Sequence, residues 1–160
     1  MATLYSDIGK LQNDANPKSL TTPLQTAAQI RMFNPLYTTT GAEAAADIIN
    51  LVSVPVGIEV VPYLSQSYTI GALATTAATM AIGDDGGGSN PGAVAALSTR
   101  YSAAVDLKGV GAHTFSGGGA AAGVPFVTTA QTWIQATYTV STTPLVGGTI
   151  RFYIVAKVAR

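Results

Sequence analysis

Residues 148–160 read Gly-Thr-Ile-Arg-Phe-Tyr-Ile-Val-Ala-Lys-Val-Ala-Arg. Apolar side chains recur at every second position of this stretch, which is the period of a pleated β-strand. The apolar set comprises Ile150, Phe152, Ile154, Ala156 and Val158, and the mixed set between them comprises Arg151, Tyr153, Val155 and Lys157. The pattern predicts a strand with one face in the core and a second face partly covered by a neighbouring chain. We therefore expect Arg151 and Tyr153 to contact another subunit.

Other segments of the chain also have the composition of strands, and they lie at residues 28–36, 47–54, 58–68, 77–82 and 132–140. The short link Pro55-Val56-Gly57 predicts a hairpin that pairs the second and third of these segments. The glycine-rich tract at residues 83–92 is expected to hold no regular element. Residues 41–46 are compatible with helix or strand.

One helix is also predicted. Val94, Leu97 and Tyr101 recur at helical spacing, so residues 92–104 are expected to form one short helix. At least six strands with little helix favour an all-β fold, an antiparallel β-sandwich or jelly roll with at most one or two short helices. Parallel crossovers would need helices that the pattern lacks.

The first 27 residues differ in composition from the rest, since they are mostly polar and include Pro17 and Pro23. We interpret residues 1–27 as an extended N-terminal arm and residues 28–160 as a single β-sandwich domain. The apolar residues of the arm are its expected subunit contacts, namely Leu4, Tyr5, Ile8 and Leu11. A disordered tail is the alternative, because chain termini are often loose unless tied down.

The amino-acid composition of the chain disfavours several classes of function. The 160 residues contain no cysteine, and 8 basic side chains balance 8 acidic ones. Charged residues make up 10% of the chain, against about 25% in an average domain. Nucleic-acid binding is disfavoured, because it requires a basic surface. The apolar window at residues 70–82 is too short to span a membrane, and the first residues lack the apolar core of a signal peptide. A near-neutral surface of this kind favours permanent assembly.

Candidate catalytic and ligand-binding residues are sparse. His113 is the single histidine, and no neighbouring motif supplies a nucleophile for it. Asp84 and Asp85, with Asn90, suggest a calcium loop or, preferably, a solvated turn, since the ligand spacing of an EF-hand is missing. The segment Gly117-x-Gly119-x-x-Ala122 matches a dinucleotide fingerprint only superficially, because no helix follows it. We expect no enzyme activity, no cofactor and no metal.

Aromatic residues offer an alternative function. Trp133 and the tyrosines could form a platform for sugar rings, although alternation places most of them at ordinary strand positions where they would pack in the core. The tyrosines concerned are Tyr63, Tyr68, Tyr101, Tyr138 and Tyr153.

Three stretches of the chain, residues 47–61, 80–85 and 147–155, resemble small virion structural proteins of tailed bacteriophages. The shared plan is a strand, a proline turn, a second strand, a short strand ending in Gly-Asp, a loop and a closing Gly-Thr-Ile-Arg strand. The likeness covers roughly residues 47–160. It implies a capsid decoration or cement protein with a jelly-roll or β-sandwich fold, often trimeric, on the outer surface of the phage head.

The expected function is therefore that of a non-enzymatic phage protein that binds and stabilises the capsid shell. Its expected partners are the major capsid protein and further copies of itself in a homotrimer, without nucleic acid or membrane. The protein would be made in the bacterial host cytoplasm and carried in the virion. The alternatives are a neck, tail or fibre component of the virion, and a carbohydrate-binding adhesin that uses Trp133.

Overall fold

The computed structural model describes residues 30–71, 73, 78–116, 126–140 and 147–159, and the backbone of residues 3–5. Within these ranges the chain forms eleven β-strands and one 3₁₀ turn, Pro62–Leu64. The strands are β1 (Thr3–Tyr5), β2 (Ile30–Phe33), β3 (Leu36–Thr38), β4 (Ile48–Val54), β5 (Ile58–Val60), β6 (Gln66–Ile70), β7 (Thr79–Asp84), β8 (Leu97–Asp106), β9 (Gly111–Thr114), β10 (Thr132–Val140) and β11 (Thr149–Val158).

The strands form two sheets. One has five strands in the order β1-β4-β10-β7-β8, and the other has six strands with β11 at its centre. All described pairings between strands are antiparallel except that of β1 with β4, which is parallel. Apolar side chains of both sheets form one buried cluster that includes Leu51, Ile82, Ile134 and Phe152. The prediction of an all-β sandwich is confirmed.

The closing strand β11 organises the six-stranded sheet. Arg151 lies opposite Leu36 of β3 and also opposite Tyr68 of β6, so neighbouring strands flank β11 on both sides. Nearer its end, β11 pairs with β2 on one side and β5 on the other. Ile150, Phe152, Ile154 and Ala156 are fully buried, as the alternation predicts. Val158 is an exception at 39% exposure, because β11 ends there at the rim of the sandwich.

The predicted hairpin between residues 47–54 and 58–68 is wrong. Strand β4 pairs with β1 and β10 in one sheet, whereas β5 pairs with β11 in the other. The link at residues 55–57 therefore crosses between the two sheets. Thr128 holds this crossing, since its hydroxyl donates to the Pro55 carbonyl at 2.6 Å and accepts the Ile58 N–H at 2.9 Å.

The single strand predicted at residues 58–68 is also divided. The 3₁₀ turn begins at Pro62, which has no N–H to continue a ladder, and separates β5 from β6. Ser65 then rejoins the sheet, because its hydroxyl accepts the Val155 N–H at 2.9 Å.

The helix predicted at residues 92–104 is absent, and most of that segment belongs to β8. The side chains of Tyr101 and Val105 are buried in the core, and Met80 of β7 lies opposite Val105. Cross-strand pairing with β7 overrides the apparent helical spacing, because spacing is a weak signal beside a buried neighbouring strand.

Strand β7 extends further than predicted, through Gly83 to Asp84, and so enters the glycine-rich tract. A Cβ atom on Gly83 would lie 2.0 Å from the Leu97 carbonyl oxygen of β8. Glycine at this position therefore permits close approach of the two backbones. Beyond Asp84 the tract turns back, with Gly86 at a φ of +65°.

The described part of the N-terminal arm is extended, since Thr3–Tyr5 pair with Ile48–Asn50 at the edge of the five-stranded sheet. Residues 6–29 lie outside the described part of the chain. In the described ranges, no helix has the length and apolar character needed to cross a bilayer.

Candidate functional site: the outer face of the six-stranded sheet

The six-stranded sheet carries apolar side chains on the side that faces away from the core. Cross-strand register places Met32 beside Val155, Tyr68 beside Arg151, and Ile70 beside Thr149. We call this surface the outer face and define it by Ile30, Met32, Leu36, Tyr68, Ile70, Arg151, Tyr153 and Val155. Its most exposed members are Ile30 at 65%, Met32 at 64% and Ile70 at 48%. An antiparallel sheet ordinarily presents polar side chains to water on such a face, so this surface has the composition of a contact.

The five-stranded sheet differs on its corresponding side. Gln135 donates to the Asn50 side-chain oxygen at 2.8 Å, and Gln131 donates to the Ser53 hydroxyl at 2.9 Å. Thr79 and Thr139 hydrogen-bond to each other through their hydroxyls. Uncharged polar groups satisfy one another across these strands. Trp133 and Ile48 also lie on this side but are only partly exposed, whereas the exposed side chains of Ile30, Met32, Tyr68 and Ile70 belong to the six-stranded sheet.

Arg151 lies near the middle of the outer face, with Leu36 on one side and Tyr68 on the other. Its Nη1 donates to the Asn34 side-chain oxygen at 3.2 Å when that amide is oriented to suit its neighbours. Lys157, at one end of the face, forms an ion pair with Glu59 at 3.1 Å. Among the described carboxylates, none forms an ion pair with Arg151. Within the described part of the chain, the outer face thus combines apolar area with the positive charge of Arg151, which has no ion-pair partner there.

The predicted contact residues fall in different places. Arg151 and Tyr153 both lie on the outer face, half-buried on β11. Leu4 and Tyr5 belong to β1, at the edge of the other sheet, and Ile8 and Leu11 lie outside the described residues. The structure does not bring the described part of the arm to the outer face.

Sequence reasoning missed the exposed residues Ile30, Met32 and Ile70. The alternation in residues 28–36 was visible, but it did not reveal which side faces the core. Phe33 packs against the core, and this places Met32 outside. No signal in the sequence separates the two sides of this segment, because only the pairing of β2 with β11 places Ile30 beside Lys157 and Met32 beside Val155.

The candidate calcium residues serve the turn itself. Asp84 accepts the Gly86 N–H at 3.0 Å, and Asp85 accepts the N–H groups of Gly87 and Trp133. Asn90 donates instead to the Gln131 carbonyl. Nowhere in the described ranges do three His, Asp or Glu side chains gather into a metal site.

Asp84 also takes part in a buried cluster. Its carboxylate pairs with Arg100, and the Arg100 guanidinium lies 3.7 Å from the centroid of the Phe126 ring. Burial raises the pKa of Asp84 above its ordinary value, although the Arg100 charge acts in the opposite direction. Burial and the nearby Asp84 charge raise the pKa of Tyr101 strongly. This cluster is internal and connects β7 and β8 to the segment that leads into β10.

A second buried carboxylate organises the loop between β3 and β4. Glu43 accepts hydrogen bonds from the Tyr37 hydroxyl at 2.7 Å, the Thr40 N–H at 2.6 Å and the Gly41 N–H at 3.0 Å. Burial opposes ionisation of Glu43, but the hydrogen bonds from Thr40 and Tyr37 outweigh it and hold its pKa below the ordinary value. The role of Glu43 is therefore structural.

The remaining predicted residues are dispersed. His113 lies opposite Ser67 on β9, on the inner side of the sheet, and Gly117, Gly119 and Ala122 lie outside the described residues. Tyr101 and Tyr138 are buried, as expected for core packing. Trp133 lies on β10 in the five-stranded sheet, whereas Tyr68 and Tyr153 lie on the six-stranded sheet, so the structure does not unite these aromatics in one platform.

No known protein-family model matches this chain, and no curated protein sequence matches it. Two solved structures resemble it. A chain of the capsid of Ralstonia phage GP4 matches with a TM-score of 0.69 and 18% identity, over 99% of both chains. A chain of the acidic stable capsid of Helicobacter pylori bacteriophage KHP30 matches with a TM-score of 0.51 and 12% identity, over 83% of this chain and 90% of that one. At these identities the likeness shows a shared fold: the chain has the β-sandwich fold of these two phage capsid chains.

Proposed function

We propose that this chain is a non-enzymatic structural protein of a phage virion, of the head decoration or cement type, which binds the capsid shell and stabilises it. The observation that carries the proposal is the likeness to the Ralstonia phage GP4 capsid chain over 99% of both chains. The resemblance of residues 47–61, 80–85 and 147–155 to small phage virion proteins supports the same function.

The composition suits a protein that acts by adhesion. With 10% charged residues and no net charge, the chain has a surface that associates readily. Several modest contacts made at once in a fixed lattice produce strong overall attachment, because each contact after the first becomes intramolecular. In this proposal the major capsid protein is the partner, the chain assembles as a homotrimer on the outer head surface, and residues 1–27 supply additional contacts through Leu4, Tyr5, Ile8 and Leu11.

The test uses empty shells of the virus that encodes this chain, assembled without the chain. Purified protein should bind these shells saturably, at a fixed number of copies per shell, and raise the temperature at which they dissociate. Absence of saturable binding would refute the decoration role. Electron microscopy with a labelled chain should show label over the head, and label confined to the neck or tail would favour the alternative virion position.

Removal of residues 1–27 tests the arm. Because Thr3–Tyr5 pair with β4, circular dichroism and thermal unfolding should first establish that the shortened chain is folded. We expect a folded domain that no longer binds shells. Normal binding by the folded, shortened chain would contradict the arm assignment and leave the decoration role intact. Mass measurement of the free chain tests the trimer.

A further inference from the structure

We propose that the outer face of the six-stranded sheet is the surface that docks on the capsid shell, and that the shell subunit presents apolar side chains together with a carboxylate that pairs with Arg151. This inference rests on the proposed function and deepens it by naming the contact surface and the chemistry of its partner.

The first argument is the cost of leaving this surface in water. Each large apolar side chain that becomes buried on binding stabilises the complex, because its apolar surface is removed from water. Ile30, Met32 and Ile70 are about half exposed or more, and they lie on one face rather than singly over the surface. Contiguous apolar patches on otherwise polar proteins mark interaction sites. On the five-stranded sheet, by contrast, Gln135 pairs with Asn50 and Gln131 pairs with Ser53 through side-chain hydrogen bonds.

The second argument is the area of the outer face, which favours binding to a lattice of shell subunits over binding to a single second copy of this chain. The outer face extends along β11 from Thr149 to Lys157, which is roughly 27 Å at strand rise, and about 15 Å across three strands, or roughly 400 Å². A stable interface of standard size needs about 800 Å² on each partner. A dimer formed through this face alone would thus be weak. The same contact repeated on a fixed shell is sufficient, because several contacts act together.

The third argument is charge complementarity. Arg151 needs a carboxylate, and the described part of a second copy of this chain has few to offer. Glu43, Asp47 and Asp84 are buried. Glu59 is paired with Lys157, and Asp85 caps its own turn. Asp106 is the exposed carboxylate of the described part of the chain, and it accepts the Lys108 N–H in the turn after β8. The charge pattern therefore favours a different protein as the partner.

The experiment measures binding of full-length variants to the same empty shells. Met32→Glu and Ile70→Glu place a charge in the apolar part of the face, and each should weaken binding by at least about tenfold. Arg151→Gln should weaken binding by about tenfold, Arg151→Glu by more, and Arg151→Lys by less, since lysine retains the charge. Thermal unfolding of each variant establishes that it is folded at the temperature of the assay.

Matched controls lie off the face. Val110 is 62% exposed in the turn between β8 and β9, so Val110→Glu makes the same kind of change elsewhere and should alter binding less than about twofold. Lys108→Gln, in the same turn, is the control for loss of one positive charge.

The outcomes separate the two proposals. If the unmodified chain binds shells and folded Met32→Glu, Ile70→Glu and Arg151→Glu bind equally well, the docking face is wrong while the decoration role stands. If the unmodified chain does not bind shells, both proposals fail. If Met32→Glu instead dissociates an oligomer of the free chain and leaves shell binding unchanged, the outer face joins copies of this chain and the inference is overturned.

Discussion

Asp84 and Arg100 form a buried ion pair between neighbouring strands, with the Asp84 Oδ2 and Arg100 Nε atoms 2.5 Å apart. The Arg100 guanidinium also covers the Phe126 ring and donates to the Ala95 carbonyl. One side chain therefore connects β8 to the turn after β7 and to the segment before β10. This arrangement predicts a large effect on stability when Arg100 is removed.

Arg100→Met should lower the free energy of unfolding by about 3 kcal/mol or more, because it leaves the Asp84 carboxylate buried without its cation. Urea unfolding at neutral pH measures the loss. The double variant Arg100→Met with Asp84→Asn should be more stable than Arg100→Met alone, since the unpaired charge is gone. If the stability lost by the double variant equals the sum of the losses in Arg100→Met and Asp84→Asn, the ion pair does not couple these residues.

Glu43→Gln should lower the free energy of unfolding by about 2 kcal/mol at neutral pH, because a charged acceptor of several buried hydrogen bonds becomes a neutral amide. Chemical denaturation measures the loss. Glu59→Gln is the control. Its ion pair with Lys157 is partly exposed, and its loss should cost less than about 1 kcal/mol.

The effect of Glu43 should also depend on pH. Its pKa in the folded protein lies below the ordinary value of 4.5, so its stabilising contribution is complete above that value and is lost as the pH falls through the folded pKa. The difference in stability between the unmodified chain and Glu43→Gln should therefore shrink in acid. The pKa of Asp84 is raised, so its contribution to stability has the opposite pH dependence. Asp84 is present in both the unmodified chain and Glu43→Gln, so this contribution cancels in the difference between their stabilities. A difference that stays constant down to about pH 3 would contradict the role of the Glu43 charge.

Gly83→Ala should destabilise the fold by about 3 kcal/mol or prevent folding, because the added Cβ would collide with the Leu97 carbonyl across the β7–β8 pair. Thermal unfolding measures the effect. Gly109→Ala is the control, since nothing lies within 4 Å of the position that its new methyl group would occupy and its backbone needs no left-handed conformation. Equal melting temperatures for the two variants would refute the close approach of β7 and β8.

Thr128→Val should cost about 2 kcal/mol, because it leaves the Pro55 carbonyl and the Ile58 N–H without the hydroxyl that both contact. The neighbouring Thr129→Val removes a hydroxyl that contacts Gly92 at an exposed position, and it should cost less than about 1 kcal/mol. Chemical denaturation distinguishes them. Similar losses for both variants would mean that Thr128 does not hold the crossing between the sheets.

The candidate surface was only partly predictable. Alternation in residues 148–160 identified Arg151 and Tyr153 as members of the outer side of the last strand, and the register confirms that placement. Ile30 and Met32 could not be assigned, because a strand with apolar residues on both sides has two possible orientations. Only the pairing of β2 with β11, which directs Phe33 inward, decides that Met32 is exposed.

The errors in the fold have a common cause. The hairpin at Pro55 to Gly57 and the helix around Leu97 were both inferred from local pattern, whereas the structure pairs β4 and β5 with strands distant in sequence and pairs β8 with the preceding strand β7. A short turn shows that two strands are consecutive, but it does not show whether they pair or belong to opposite sheets. Local spacing carries no information about Thr128, which lies 70 residues from Ile58 along the chain.

By itself, the sequence determined the all-β class and the inward and outward sides of β11, because side-chain alternation with a period of two is a local property of the backbone. The tertiary structure alone decided which strands pair and which sheet has an apolar outer face. Those features depend on contacts between residues far apart in the chain. Strand β11 is an example. Its own sequence predicts which of its side chains share a face, and its neighbours β2, β3, β5 and β6 determine which side chains lie beside its outer face.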